Sequence, residues 1–407
     1  MPDAPAAGKH EQQDRLSGRT AGAAVQWQSG YQVQKTRRDR KVDRRDVFVI
    51  QGRNYREMAR EVLRAAGVAE EIGDRSKRIG IKPNLVVAKT ADSGATTHPE
   101  LIDGILSYLR ENGFQNLRVM EGSWVGARTE EAVRVSGILE ICERHGVPFI
   151  DLQKDSTRKV DGAGMQIEVC EEALRTDYLI NVPVLKGHCQ TEVTCALKNG
   201  KGLIPNREKR RFHTLGLHKP IAHLNTIIHK DFILVDNLCG DLDFEEGGNP
   251  VTMNRVLGFR DPVLCDAYAA NCLGYEARSI EYIRLAERLG VGSADPDTAV
   301  FHYLNKDAEK EVSFPKTGRV ERLAAYTSAD NACSACYGQL IYALNRLSES
   351  GELPRTWKEK ICIGQGFQGK TGKIGVGRCT AGFQETLPGC PPKGSDIVKF
   401  LRERVGK

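Results

Sequence analysis

At 407 residues the chain is longer than one ordinary core supports, so two domains with appendages are expected. A hydrophobic content of 40% with 28% charged residues fits a globular protein, not a chain disordered throughout. The net charge of +6 is concentrated near the start, and no run approaches the roughly 18 apolar residues that span a bilayer, so neither nucleic acid nor membrane is an expected partner.

Residues 1–45 read as a flexible, disordered basic leader without apolar periodicity. Between Lys35 and Arg45 the basic residues are diluted by aspartates and not interleaved with aromatics, the pattern of a solvated arm. Residues 1–30 also lack the apolar segment of a signal peptide, so a cytoplasmic, reducing location is expected.

From Asp46 the pattern turns regular. Residues 47–50 form a strand, 55–66 carry helical spacing that stops at Gly67, and 78–86 form a second strand. Residues 99–112 predict a helix with Pro99 at its start, Leu101, Ile102, Ile105, Leu106 and Leu109 on one face, and Gly113 at its end. A strand at 117–120, a helix at 130–144 and a strand at 148–152 follow. Further strands are expected at 178–184 and 232–236, and helices at 261–273 and 280–289. Strands alternating with helices predict an α/β fold, a mostly parallel sheet with flanking helices over residues 46–325. Residues 326–407 predict a small C-terminal α/β subdomain that contains cysteines: a helix to about 347, a strand at 360–363, a glycine-rich loop and a helix from 395.

Twelve cysteines in a reducing compartment are buried small side chains or ligands, not a disulfide framework. Cys142, Cys170, Cys239, Cys265 and Cys272 sit among apolar neighbours and read as core. The tail differs. Cys333 and Cys336 form a Cys-x-x-Cys pair, which places two sulfurs on one side of a turn or helix start, where the dipole favours thiolate. Cys379 follows a Gly-Val-Gly-Arg segment, and Cys390 lies in a stiff Gly-Cys-Pro-Pro turn. Four thiolates suit a four-iron, four-sulfur cluster or a zinc ion, with a redox-active dithiol and cysteines without any metal as the other readings. One knuckle with two single cysteines favours the cluster, as does the likeness of the Gly-Cys-Pro-Pro turn to the cluster-ligand turn of hydrogenase small subunits and related quinone reductases. Cys362, inside a strand, is a spare candidate that reads better as core. The strand at 360–363 runs into Gly364-x-Gly366-x-x-Gly369, but no helix pattern follows, so a loop around the cluster explains it better than a dinucleotide site.

The central segment from Val184 to His213 concentrates imidazoles, lysines, an amide and glycines just after a strand, where parallel sheets keep their ligand crevice. His188, Lys198, Lys201 and His213 are the candidate catalytic residues, suited to binding an anion or moving protons near neutral pH. Lys82, Asn84, Thr97 and Asn199 are candidate cofactor-binding residues, with Thr96, Thr97 and His98 opening a helix whose N-terminus can take an anion or is merely capped. Asp236 and Asp266 are further candidate ligands, Asp266 equally a helix-surface or capping residue.

Ile81-Lys-Pro-Asn-Leu85, Thr96-Thr-His-Pro-Glu100, Val182-Pro-Val-Leu-Lys-Gly-His188, Cys195-Ala-Leu-Lys-Asn-Gly200, Val235-Asp236-Asn237 and Gly258-Phe-Arg-Asp-Pro-Val-Leu-Cys-Asp266 together resemble the family catalogued as domain of unknown function 362. The resemblance covers roughly residues 46 to 275. It implies association with iron–sulfur clusters, which in that family often come with an appended ferredoxin module. Here the cysteine tail stands in that module's place. A second resemblance, to nickel-pincer lactate racemase, rests on His188, the run Gly200-Lys201-Gly-Leu-Ile-Pro205 and His213. It implies a pincer-bearing lysine at Lys201 by motif or Lys198 by spacing. The expected function is a cluster-binding redox or cluster-assisted enzyme acting on a small anionic molecule, with an electron-transfer protein as a further partner. The alternatives are a nickel-dependent isomerase, a non-catalytic cluster carrier or scaffold, and a zinc-stapled module.

Overall fold

The computed structural model describes residues 43–310, 318–355, 357 and 359–404. All but the last three residues of the predicted leader, 1–45, lie outside them. Arg44 and Arg45 are described: Arg44 donates to the Val291 carbonyl at 2.8 Å, and Arg45 pairs with Asp43.

Strands β1 (Asp46–Gln51), β2 (Ile79–Lys82), β3 (Leu117–Glu121) and β4 (Phe149–Asp151) are followed by a hairpin, β5 (Thr157–Gly162) and β6 (Met165–Cys170). Then come β7 (Tyr178–Asn181), the short pair β8 (Lys186–His188) and β9 (Glu192–Thr194), and the long strands β10 (Phe232–Asp241) and β11 (Pro250–Phe259). With β12 (Val300–Tyr303), eight of these form one sheet in the order β12-β1-β11-β10-β7-β2-β3-β4. Every pairing is parallel except those of β11 with β1 and β10.

The sheet is covered on both faces, and its strands show why. In β1, Val47 and Val49 enter one apolar cluster while Phe48 and Ile50 enter the other; in β10, Ile233 and Val235 oppose Phe232 and Leu234. Period-two side chains that are apolar on both faces leave no face for water, as parallel sheets require. Several expectations need correction: the strands expected at 78–86 and 178–184 end at Lys82 and Asn181. The single helix expected at 130–144 is two, Thr129–Val135 and Ile138–Arg144, because Gly137 turns into the left-handed region at φ 78°. The strand expected at 232–236 is the first half of a ten-residue strand that returns antiparallel through β11.

A second sheet follows: β13 (Thr327–Ala329), β14 (Ile361–Ile363), β15 (Ile374–Val376) and β16 (Glu385–Leu387), parallel throughout and in sequence order. Helices Ser334–Glu349 and Gly394–Arg402 pack on it through Leu340, Ile341, Leu344, Leu347, Ile397 and Leu401. Phe244, from the turn between β10 and β11, is buried in this same cluster and joins the two sheets.

Candidate functional site

Each strand of the second sheet ends in a loop, and these loops gather the tail cysteines. Cys333 follows β13 and caps helix Ser334–Glu349, with Cys336 in its first turn. Cys379 lies in a short helical turn after β15, and Cys390 follows β16. The backbone N–H groups of Gly377 and Arg378 donate to the carbonyls of Leu387 and Gly389, both at 2.8 Å, tying the last two loops together. Cys333, Cys336, Cys379 and Cys390 thereby line one cavity of about 640 Å³. Cys362 is not among its lining residues. Only a short turn, Gln365–Phe367, follows the Gly364 motif; no longer helix opens there, and Gly364, Gln365 and Gln368 are part of the cavity wall.

Two side-chain amides reach the sulfurs: Gln365 Nε2 donates to Cys333 and Gln368 Nε2 to Cys379, each at 3.5 Å. Burial pushes the Cys333 thiol up, and with help from the neighbouring thiols it pushes Cys336 up to about 12. Cys333 and Cys336 therefore keep their protons until a cation takes their place. No three of the four sulfurs lie within 4.8 Å of one another. A single tetrahedral zinc needs sulfurs about 3.8 Å apart, from a Zn–S bond of about 2.3 Å. A cubane spreads its thiolates wider, because an iron stands between each sulfur and the centre. The four sulfurs are therefore not already closed around a single tetrahedral ion.

Beside it lies a second cavity, of about 590 Å³, beyond the carboxyl ends of β2 and β3. Its wall includes Lys82, Asn84, Lys198, Asn199, Lys201 and His213, all singled out from sequence, Thr194 and Lys209, which fall in the central segment without a role assigned, and Glu121, Trp124 and Glu245, which were not anticipated. Val125, Cys333 and Ala335 belong to both cavities.

The floor is a closed polar network. Lys82 Nζ donates to Glu121 Oε2 at 2.8 Å, Pro83 O at 2.8 Å and Asn199 Oδ1 at 3.1 Å. Asn84 Nδ2 donates to the same Asn199 oxygen at 2.9 Å, and Asn199 Nδ2 donates to Asn181 Oδ1 at 2.8 Å. Lys186, buried behind them, spends its donors on Asn84 Oδ1, Ala95 O and Glu245 O, and burial pushes it down to about 8. Gly202 is required by this packing: a Cβ there would collide with the Glu121 carboxylate and the end of Lys82.

Glu245 organises the other wall. It pairs with Lys198, and its Oε2 lies 3.1 Å from His188 Nε2. His188 Nδ1 accepts from the N–H groups of Gln190 and Thr191, at 3.0 Å each, so the ring proton sits on Nε2, the nitrogen on the Glu245 side. Burial, then Lys198, pushes His188 down to about 4, so the ring is neutral near pH 7. Burial opposes the Glu245 charge, yet Lys198 and His188 hold its carboxyl well below the usual range. His188 therefore stands behind Glu245, outside the cavity wall.

Other candidates also lie off the wall. The Thr97 hydroxyl is consumed, accepting from Asn84 N at 2.8 Å and donating to Val182 O at 2.9 Å. The helix N-terminus it precedes already holds an anion: Asp236 Oδ2 accepts from His98 N at 2.8 Å and meets His98 Nδ1 at 2.9 Å. Asp266 is fully buried, not on a helix surface, and accepts from Leu197 N and the Tyr282 hydroxyl. It lies with Cys195 and Cys265 in a group whose ligand atoms are all within 4.8 Å of one another, the two sulfurs 3.6 Å apart.

The fold is α/β, with a mostly parallel sheet and a second, parallel one, and each has a cavity beside its strand ends. Residues 79–271 match the family described as Domain of unknown function (DUF362). The chain is 24% identical over 225 residues to a protein of Synechocystis sp. described as thylakoid-associated, across 53% of this chain and 68% of that protein. Two solved structures are similar: the lactate racemase apoprotein of Thermoanaerobacterium thermosaccharolyticum (13% identity, TM-score 0.35) and a structural-genomics protein of Thermotoga maritima (15%, TM-score 0.33). The matches cover 53% and 58% of this chain and only 54% and 60% of those structures. No helix among the described residues is long and apolar enough to cross a membrane.

Proposed function

We propose that this protein is a redox enzyme in which Cys333, Cys336, Cys379 and Cys390 hold a four-iron, four-sulfur cluster and the adjoining cavity binds a small anionic substrate. The observation that carries this reading is the shared wall, since Cys333 lines both cavities. The cluster would supply or accept single electrons there. The protein's own groups do the rest. Lys82 and Lys198 are paired with Glu121 and Glu245, which leaves Lys209 as the excess positive charge facing the cavity. Lys209 is anchored by the Gly122 and Ser123 carbonyls at 2.9 and 2.8 Å, so its position is fixed before an anion arrives. An acidic electron-transfer protein reaching the exposed Cys390 side is the matching partner, because Arg210 and Arg378 line that cavity and are exposed.

The test is anaerobic purification followed by electron paramagnetic resonance of the dithionite-reduced protein, with and without oxalate as a small dianion. A cluster signal that changes on oxalate binding supports the reading, whereas a signal indifferent to saturating anion separates the cavities functionally and removes it. A racemase-like isomerase that holds nickel is favoured by one observation, the unpartnered Nδ1 of His213 beside Lys201. It requires nickel and an added mass on Lys201 in the protein as purified.

A further inference from the structure

Lys201 differs from every other lysine on the cavity wall. Lys82, Lys198 and Lys209 each have hydrogen-bond partners, but Lys201 has no hydrogen-bond or ion-pair partner among the described residues. Its neighbour His213 is 7% exposed, also lines the cavity, and has an Nδ1 without a partner. A lysine meant only to bind an anion gains from staying charged. This one sits among cations in a partly buried cavity, and burial, followed by Lys198, pushes its ammonium down to about 7. That is the setting in which a lysine amine becomes a nucleophile at neutral pH.

We propose that Lys201 forms an imine with the carbonyl carbon of a substrate that also carries a carboxylate, the chemical class being the 2-oxo acids. The proposal rests on the crevice half of the proposed function and not on the cluster. The Lys201 nitrogen adds its lone pair to the carbonyl carbon, and His213 Nδ1 takes the first of the amine's two protons and passes it to the carbonyl oxygen, which becomes a hydroxyl. His213 Nδ1 then takes the second proton from nitrogen and hands it to that hydroxyl. Water leaves as the C=N bond forms, and no electrons change hands. Lys209 is placed to hold the carboxylate, and Val86, Trp124 and Val125 supply the apolar wall for the carbon chain.

Trapping tests this on the full-length, anaerobically purified protein. The probe is pyruvate, with cyanoborohydride as the hydride donor that fixes the imine as a secondary amine, read by intact mass and peptide mapping. Lys201 is expected to carry the reduced adduct about tenfold above any other lysine. In Lys201→Arg, a variant whose melting temperature reports its folding, that adduct should vanish. Adduct spread evenly over surface lysines, none at Lys201, or a Lys201 already blocked as purified overturns the proposal. Adduct at Lys201 with an oxalate-insensitive cluster signal leaves the imine standing and removes the redox coupling. An oxalate-sensitive signal without adduct does the reverse.

Discussion

Cys333 and Lys201 line the same cavity, one from the loop after β13 and the other from the turn Gly200–Leu203. They are near enough for the lysine's charge to lower the Cys333 thiol against the effect of burial. The cysteine tail and the polar segment thus line two adjoining cavities, which the proposed function treats as one site with two compartments.

Cys362 and Cys379 test the proposed ligand set. Cys379 is in the cavity wall, while Cys362 is absent from it and has its sulfur near Lys360 O. Cys379→Ala should drop iron after anaerobic reconstitution to background. Cys362→Ala should keep iron at the wild-type ratio in the same assay; equal losses in both would remove the ligand assignment.

Gln368 offers a test by potential. Its amide donates to Cys379 at 3.5 Å, and donors to cluster sulfurs favour the reduced, more negative state. Gln368→Leu should therefore shift the midpoint of a redox titration to a more negative value at unchanged iron content. A midpoint that does not move means the amide does not touch a cluster ligand.

The buried pair of Lys82 and Glu121, 1% and 3% exposed, carries the cavity floor. Lys82→Met strands a buried carboxylate and should cost about 3–5 kcal/mol in urea unfolding, whereas Lys82→Met with Glu121→Leu should cost much less. Gly202→Ala should be destabilising through the same pair, since its Cβ would displace both partners. Additive single costs would mean that the two charges are not coupled.

Stability should rise with pH just above neutrality. Lys230 is buried and donates to Asn225 and Ile228 O, and burial pushes it down to about 7 against the pull of Asp266. An unfolded lysine keeps its proton to about 10.4. Above pH 7 the unfolded chain therefore binds more protons than the folded one, and stability increases with pH. Lys186 and Lys209, pushed down to about 8 by burial, act with the same sign. The buried thiols, Cys142 and Cys170 pushed up to about 12, oppose this only above about 8.5, where unfolded thiols ionise. The urea midpoint should climb from pH 7 to 8.5, and less steeply in Lys230→Met. A flat wild-type profile would contradict this.

The α/β class was legible because β1, β2 and β7 are short apolar runs between helical patterns. The tail cysteines that line one cavity stood out in the sequence because Cys333 and Cys336 form a Cys-x-x-Cys pair and Cys390 lies in a Gly-Cys-Pro-Pro turn. Glu245 was not, because the acidic turn from Asp241 to Gly248 reads as a surface loop until Phe244 buries it against the second sheet. Lys209 sits in a helix whose other basic residues are solvated, Arg207 and Arg210 among them, so its burial has no sequence signature. Thr97 and His188 have the residue types of a binding site, but backbone groups and Glu245 already use them.

The most direct test of the two-compartment site is Mössbauer spectroscopy of anaerobically isolated, iron-57-labelled protein, run with wild type and Cys333→Ala. The account predicts the signature of a four-iron cluster in wild type and its loss in the variant. A colourless wild-type protein that holds stoichiometric zinc and no iron would contradict it.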